Sequence, residues 1–325
     1  MTTQIETTRF APINQAYSSV FRPERLSIGL VVPLETYSDG PVPSMHRHLE
    51  RVRLAEQLGF AALWLRDVPF NVPAFGDAGQ TFDPFVYLGL LAGETEKIAL
   101  GVASIILPLR HPAHVAKAAA SVDVLSGGRL LLGVASGDRP EEYPAMDMDF
   151  VTRGERFRDS FAYIRHMARD YPTFQTAQGN SQGVMDMLPK PTGARLPLLI
   201  TGGSQQHPDW IAQNGDGWIT YPRTASAQAR VIEDFRTRSA AAGRADQPVS
   251  QSLYVDLVDD DNTPPSPIHL GFRSGVNYLI SYLSELQSIG VNHVALNLRL
   301  NSGDVEAAMS RISDQILPHF PLESD

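Results

Sequence analysis

Cysteine is absent from all 325 residues of the sequence. Disulfide bonds, thiolate metal sites and cysteine nucleophiles are therefore excluded, and a reducing compartment is compatible with this composition. No uncharged apolar run reaches the roughly 18 residues of a membrane-spanning helix, so we expect no membrane association. The first residues do not combine a basic start with an apolar stretch, so no secretory signal is visible and we expect a cytoplasmic protein.

An excess of basic residues is also missing. Lys and Arg number 27 against 36 Asp and Glu, for a formal net charge of -9. We therefore do not expect nucleic acid or an anionic membrane surface as a partner. The expected partner is a small-molecule substrate. The sequence also lacks the serine-elbow motif of hydrolases, the phosphate loop of nucleotide triphosphatases and the G-x-G-x-x-G fingerprint of nicotinamide enzymes.

Metal ligands are sparse. His111 and His114 lie three residues apart and would share one helix face, but no acidic residue accompanies them. Helix capping and packing account for such histidines more simply than a metal site does. We therefore predict that the protein holds no metal.

Short apolar runs rich in β-branched residues alternate with amphipathic stretches along the chain. The runs lie at 28–34, 61–67, 98–107, 129–137, 196–203, 217–222, 250–258 and 293–300. Between them, the segment 111–127 has a proline just inside a helix start and a Gly-Gly stop. Eight strand–helix units with continuously apolar strands predict an α/β fold, a (β/α)8 TIM barrel, with an open doubly wound sheet as the alternative.

Three connections are too long to be plain loops, and they follow strands 2, 4 and 7 of the predicted barrel. Long ordered insertions in compact domains are commonly lids or binding loops. No linker divides the chain. We therefore expect an N-terminal extension over residues 1–25 and one barrel domain over residues 26–325.

Two neighbouring strand ends are rich in small residues, VASGD at 134–138 and TGGSQ at 201–205. Glycine lets the backbone approach an anion closely, and a helix start beyond it offers unpaired N–H groups. Either segment alone is better explained as a tight turn, and the two together fit a turn and an anion site equally well. Because the two strands would be adjacent in a barrel, both loops would converge on one phosphate, which indicates a mononucleotide cofactor.

Four segments carry a resemblance to a known family: LGFAALWLRD, IALGVASIILPLRHPAHVAKAAASVDVLSGGRLLLGVASGD, RGERFRDSFAYIR and LPLLITGGSQQHPDWIAQNGDGWI. They resemble successive signature segments of the bacterial luciferase-like flavin monooxygenases. The resemblance runs from about residue 27 to 235, and GVNHVALNLR extends it to the last strand. It implies a single (β/α)8 barrel that uses FMN or, in some branches, a deazaflavin coenzyme.

The resemblance also implies site residues. It places a cis peptide bond at Ala103–Ser104, under the flavin ring, as is typical of a cofactor platform. The phosphate contacts it implies come from two loops. They are Ser136 and Gly137 after the fourth strand, where luciferase has an arginine at the position of Ser136, and Gly203, Ser204 and Gln205 after the fifth. Arg139, three residues beyond Ser136, is a candidate to supply the charge of that arginine. Arg153 and Arg156 in RGERFRDSF are expected mainly in ion pairs on a helix face, with a phosphate contact as the alternative.

Two positions depart from luciferase. The catalytic histidine of luciferase matches Val68, and its reactive cysteine matches Ala135, so light emission from an aldehyde is not expected. At the open end of the barrel, Arg66 and Asp67 are the candidate catalytic residues, since strand alternation directs one of them inward. The alternative for both is a salt bridge or cap at the barrel rim.

These features lead to an oxidoreductase that uses reduced FMN and molecular oxygen on a small organic substrate, with the FMN reduced by a separate flavin reductase. A deazaflavin-dependent hydride-transfer enzyme and a non-catalytic flavin-binding homologue are the alternatives. The small residues of AKAAASVDVL predict a self-association surface, and the resemblance implies a homodimer.

Overall fold

A computed structural model describes residues 10–37, 40 and 42–321. In this part of the chain the strands are β1 Ser27–Val31, β2 Ala62–Leu65, β3 Ala99–Ile106, β4 Leu130–Ala135, β5 Thr173–Thr176, β6 Gly179–Gln182, β7 Leu198–Thr201, β8 Gly217–Thr220, β9 Val249–Leu257, β10 Ser266–Ile268, β11 Gly271–Ser274 and β12 His293–Asn297. The α-helices are α1 Gln15–Val20, α2 His48–Gln57, α3 Pro84–Glu94, α4 Pro112–Leu125, α5 Glu142–Ala145, α6 Arg153–Met167, α7 Pro208–Asn214, α8 Ala225–Ala241, α9 Val276–Ser288 and α10 Val305–Gln315.

Eight of the strands close into a parallel barrel in the order β1-β2-β3-β4-β7-β8-β9-β12, with β12 pairing back to β1. The predicted (β/α)8 barrel is therefore confirmed, and the alternative prediction of an open doubly wound sheet is wrong. All eight predicted apolar runs contain a barrel strand. The register between β3 and β4 shifts between Val102 and Ile105, and the Ala103–Ser104 bond in this interval is cis.

Helix boundaries follow the local sequence signals. Pro112 opens α4 behind the His111 cap, and the chain leaves the helix through Gly127 and Gly128, whose φ angles are +70° and +87°. Those angles are strained for any residue with a Cβ, which explains the Gly-Gly stop. The apolar stripes of α9 and α10 are buried against the barrel.

The segment 10–21 closes the amino-terminal end of the barrel. Apolar side chains of this segment pack with inward-facing strand residues in a cluster separate from the core between barrel and helices. Tyr17 donates a hydrogen bond to the Asp216 carbonyl at 2.6 Å, and Asn14 donates to the Leu130 carbonyl at 2.8 Å. The barrel interior is therefore filled from below, and open space is left at the carboxyl ends of the strands.

Insertions follow β2, β4 and β9, as predicted. The second includes the β5–β6 hairpin, and the third forms β10 and β11, of which β11 extends the sheet beside β9. Among the described residues, no helix is both long and apolar enough to cross a membrane.

Candidate functional site

A cavity of about 380 Å³ opens at the carboxyl ends of the barrel strands. It is lined by all nine residues that the sequence singled out: Arg66, Asp67, Ala103, Ser104, Ser136, Gly137, Gly203, Ser204 and Gln205. The fold thus brings together residues that are spread over 140 positions of the chain. Carboxyl ends of barrel strands are where this architecture places its chemistry.

The turn after β7 lines the cavity. Gly202, Ser204 and Gln205 have φ angles of +55°, +43° and +58°. The Ser204 hydroxyl donates to the Thr201 carbonyl at 2.7 Å, which holds the turn closed. The N–H groups of Gly203, Ser204 and Gln205 have no hydrogen-bond partner among the described residues. Successive free N–H groups of this kind form an anion-binding concavity.

The helix that faces this turn is α6, and not the following helix that the sequence favoured. Helix α7 starts only at Pro208, and the His207 side chain already accepts the Asp209 N–H at 3.3 Å. Gly154, in the first turn of α6, accepts from the Gln206 amide at 2.8 Å. A Cβ on Gly154 would lie 2.8 Å from the Cβ of Gln205, so the helix start and the turn are in close contact.

The end of β4 forms the second side of this corner. Gly137 has a φ of +76°, and a Cβ there would lie 2.7 Å from Ile106 and 2.8 Å from the Tyr143 hydroxyl. Its carbonyl accepts from Arg153 Nε at 3.3 Å, and Arg153 lines the cavity. Burial raises the pKa of Tyr143 to about 12, so this phenol remains a hydrogen-bond donor, and it donates to the Ser136 carbonyl.

We call the group formed by Ser136, Gly137, Arg153 and the turn 203–205 the phosphate corner. Its donors are three free N–H groups, a guanidinium and the Ser136 hydroxyl, which has no partner in the described part of the chain. Arg156, the other arginine that the sequence offered for a phosphate, instead donates to the Pro108 carbonyl at 3.4 Å. The donor set fits a phosphate group.

Small residues and one tryptophan line the cavity between the strand ends. Ala103 and Ser104 form one wall, and the Ser104 hydroxyl is hydrogen-bonded to the Thr201 hydroxyl. The floor is Trp64, which is 2% exposed. Small residues on β3 and β4 leave room above this floor for a planar ring.

A luciferase-like monooxygenase family model matches residues 26–317. The chain belongs to the luciferase-like monooxygenase family. Two relatives show its range. The F420-dependent hydroxymycolic acid dehydrogenase of Mycobacterium tuberculosis is 27% identical over 202 residues, 61% of this chain and 55% of the relative. The oxygenase component of the flavin-dependent trigonelline monooxygenase of Acinetobacter baylyi is 27% identical over 195 residues, 58% of this chain and 49% of the relative.

Among solved structures, a monooxygenase from Streptomyces bottropensis superposes with a TM-score of 0.75 at 17% identity, covering 91% of this chain and all of the other. This likeness supports the TIM barrel fold. Relatives named for flavin and for F420 chemistry both occur, so membership of the family establishes an oxidoreductase or monooxygenase and leaves the choice of coenzyme to the site.

Relative to luciferase itself, this luciferase-like chain has no imidazole beside the cavity mouth at the expected place. Val68 and Ala135, the positions matched to the luciferase histidine and cysteine, both line the cavity. A histidine that the sequence reasoning passed over lies lower in the cavity. His293 is fully buried and accepts a hydrogen bond from Trp64 Nε1 at 2.7 Å.

Asp67 is tied to its surroundings. Its carboxylate accepts from Arg110 at 2.7 and 2.9 Å and from the Ile106 N–H at 3.1 Å. Its side chain is 1% exposed. The carboxylate therefore has little capacity left for a substrate, and its geometry is that of the rim salt bridge given above as the alternative reading.

Arg66 lines the cavity and is held by the first insertion, residues 67–83, which we call the lid. Arg66 and Arg299 both pair with the carboxylate of Asp77 in the lid, the latter at 2.6 Å. The Asp77 carbonyl also accepts from Arg139 at 3.1 Å. One lid residue is thus bonded to the ends of three barrel strands. The length of the insertion predicted a lid, but no sequence signal singled out Asp77.

Apolar side chains of the barrel strands divide between the cavity and the core. Leu65 and Ile106 line the cavity, whereas Leu34 and Trp218 pack in the core between barrel and helices. Trp218 precedes Ile219 in β8, and strand alternation gives the inward position to Ile219. Among the described residues no group of three or more His, Asp and Glu side chains is placed to hold a metal ion.

Proposed function

We propose that the protein is a flavin-dependent monooxygenase that uses reduced FMN and molecular oxygen on a small organic substrate. The observation that carries this proposal is the phosphate corner, in which three free N–H groups, the Ser136 hydroxyl and Arg153 surround one end of the cavity. A terminal phosphate monoester, as in FMN, has several charged oxygens and so fits many converging donors. Arg153 supplies the positive charge that luciferase takes from an arginine at the position of Ser136.

Bound reduced FMN supplies the electrons that activate oxygen, so that one oxygen atom enters the substrate and the other leaves as water. The chain binds and orients the flavin through the phosphate corner and the Ala103–Ser104 wall. Val68, Ile106 and Phe75 give the cavity apolar lining, which would help to keep water from the reacting flavin. Arg66 and Asp67 act as positioning residues, because each is engaged in an ion pair at the rim.

No nicotinamide-binding motif is present, so a separate flavin reductase would supply the reduced FMN. The test combines the protein with reduced FMN from such a reductase, labelled oxygen (18O2) and a panel of small organic compounds. Mass spectrometry then follows label entering a product. Incorporation that depends on both protein and FMN supports the proposal. Flavin binding with no product across a broad panel would favour a non-catalytic flavin-binding homologue.

A second candidate is a deazaflavin-dependent hydride-transfer oxidoreductase, because the M. tuberculosis relative is named for F420. The deazaflavin coenzyme carries its phosphate as a diester within a longer side chain, so it would present fewer free oxygens to the phosphate corner. Separate titrations with FMN and F420, followed by fluorescence, distinguish the two candidates. Tight F420 binding with weak FMN binding would select the second.

We also propose that the protein forms a homodimer, although not through the residues first considered. Ala116, Ala119 and Ala120 of α4 are buried inside the chain. The apolar residues that remain exposed there are Val124 and Leu125, at 42% and 71%. Light scattering at micromolar concentration tests this, and a monomeric mass would refute it.

A further inference from the structure

Arg139 is a buried cation with an unused donor in the wall of the cavity. It follows β4, is 8% exposed and lines the cavity. Nη2 donates to the Asp77 carbonyl at 3.1 Å. Nη1 is buried and has no hydrogen-bond partner among the described residues. An unsatisfied buried guanidinium N–H is costly, so such a donor calls for a ligand.

Arg139 does not belong to the phosphate corner by its contacts. Its guanidinium carbon lies 4.8 Å from the ring centre of Phe75, and its one hydrogen bond is to Asp77, both in the lid. The phosphate corner is instead built around Arg153, which contacts Gly137. The cavity is therefore lined by two arginines with different partners, Arg153 at the strand-end loops and Arg139 at the lid.

Three arginines contact one aspartate of the lid. The single carboxylate of Asp77 is shared by Arg66 and Arg299, and Arg139 reaches only the Asp77 carbonyl. No salt bridge joins Arg139 to a carboxylate in the part of the chain that the structure describes. Glu142 is the buried acid nearest in sequence; burial raises its pKa, the positive charge of Arg139 lowers it, and no hydrogen bond joins the two side chains among the described residues.

Two partly exposed apolar residues line the same cavity as this cation. Phe75 and Leu270 line the cavity mouth and are 46% and 43% exposed. A guanidinium stacked on an aromatic ring, next to further apolar surface, is suited to a ligand with an anionic end and an apolar body.

We propose that Arg139 binds an anionic group of the substrate, so that the substrate class is small organic acids with an apolar or aromatic body. Calling this ligand the substrate rests on the proposed function, whereas the binding of an anion at Arg139 does not. The Nη1 and Nη2 edge would pair with a carboxylate, while Phe75 and Leu270 cover the apolar part.

The test uses benzoate and its neutral analogue benzamide as probes, with binding measured by calorimetry in chloride-free buffer. The unmodified protein is expected to bind benzoate at least tenfold more tightly than benzamide. Arg139→Met removes the charge and should abolish that preference. Arg158→Met is the matched control, because Arg158 is exposed on α6 and should leave the preference unchanged.

A second arm separates the substrate from the cofactor. Arg139→Met should leave intact the preference of the protein for FMN over riboflavin, which lacks the phosphate. If the variant instead loses that preference and keeps the one for benzoate, Arg139 is a phosphate ligand and the proposal is wrong. Equal binding of benzoate and benzamide by the unmodified protein would also overturn it.

The outcome remains readable if Arg139→Met fails to fold, as circular dichroism would show. Arg139→Lys keeps the charge and loses the two-donor fork, so the preference for benzoate should fall severalfold; an unchanged preference would contradict the role of the fork. If FMN does not bind at all but the preference for benzoate persists and depends on Arg139, the proposed function fails and the anion site stands.

Discussion

Trp64 and His293 are joined by a hydrogen bond of 2.7 Å from the indole Nε1 to the imidazole Nε2 at the floor of the cavity. The acceptor nitrogen must be unprotonated, so His293 is neutral. Its Nδ1 lies 2.6 Å from the Ser27 hydroxyl, which itself donates to the Val20 carbonyl at 2.8 Å. His293 therefore carries its proton on Nδ1, and this N–H donates a hydrogen bond to the Ser27 hydroxyl oxygen. The two rings fix the bottom of the cavity.

This bond leads to a prediction for stability against pH. Burial lowers the pKa of His293 to about 3 from a reference value of 6.5. In the unfolded chain this imidazole is protonated more readily than in the folded protein. The contribution of neutral His293 to the free energy of unfolding is therefore complete above pH 6.5 and is lost as the pH falls from 6.5 towards 3. Between pH 7 and pH 5 the free energy of unfolding should fall by about 2 kcal/mol more in the unmodified protein than in His293→Gln. Denaturant titrations at the two pH values measure this, and equal falls would contradict it.

The phosphate corner predicts the effect of charge at Ser204. Ser204→Asp places a carboxylate where a phosphate is expected and should weaken FMN binding at least tenfold. Asp tolerates the left-handed φ of +43° at this position, so the turn should persist. Ser204→Asn is the neutral control of similar shape and should weaken binding much less. Fluorescence titration with FMN and with riboflavin tests both variants. An unchanged FMN affinity in Ser204→Asp would show that the phosphate binds elsewhere.

The lid depends on one carboxylate. The side chains of Asp77, Arg66 and Arg299 are 3%, 25% and 17% exposed. Asp77→Asn would leave two guanidinium groups without their counter-ion, at a cost of about 3 kcal/mol. Chemical denaturation should show this loss, and limited proteolysis should cut the lid faster.

Asp83→Asn is the matched control for Asp77→Asn. The Asp83 side chain is 40% exposed, and its partner Arg110 also binds Asp67. Asparagine remains a good cap for α3, so a change below about 1 kcal/mol is expected. Similar losses in the two variants would refute the special role of Asp77.

The sequence predicted the barrel well because its signals are local. Continuous apolar strands, proline at helix starts and the glycines after α4 each act over a few residues. The nine candidate site residues all line one cavity, because strand ends in a barrel converge whatever the loops do, and their roles stay a prediction. The cis bond at Ala103–Ser104, implied by the resemblance alone, is present.

The partners of those residues were not predictable, because they depend on loops whose course no local pattern fixes. Asp77 and Arg299 are hydrogen-bonded although they lie 222 residues apart in the sequence, and Gly154 and Gln206 are hydrogen-bonded at a separation of 52 residues. His293 had a weak signal: it begins a strand in which Ala295 and Asn297 share its face, so alternation would have directed it inward. The helix at the phosphate corner was assigned to the next helix along the chain, whereas α6 packs there from another unit.

The most direct test of the account is the affinity of the protein for FMN compared with riboflavin and F420, measured anaerobically with the reduced coenzymes. The account predicts that reduced FMN binds at least tenfold more tightly than reduced riboflavin and more tightly than reduced F420, and that Arg153→Met removes the preference for FMN over riboflavin. Equal affinity for FMN and riboflavin, or tight binding of F420 alone, would contradict it.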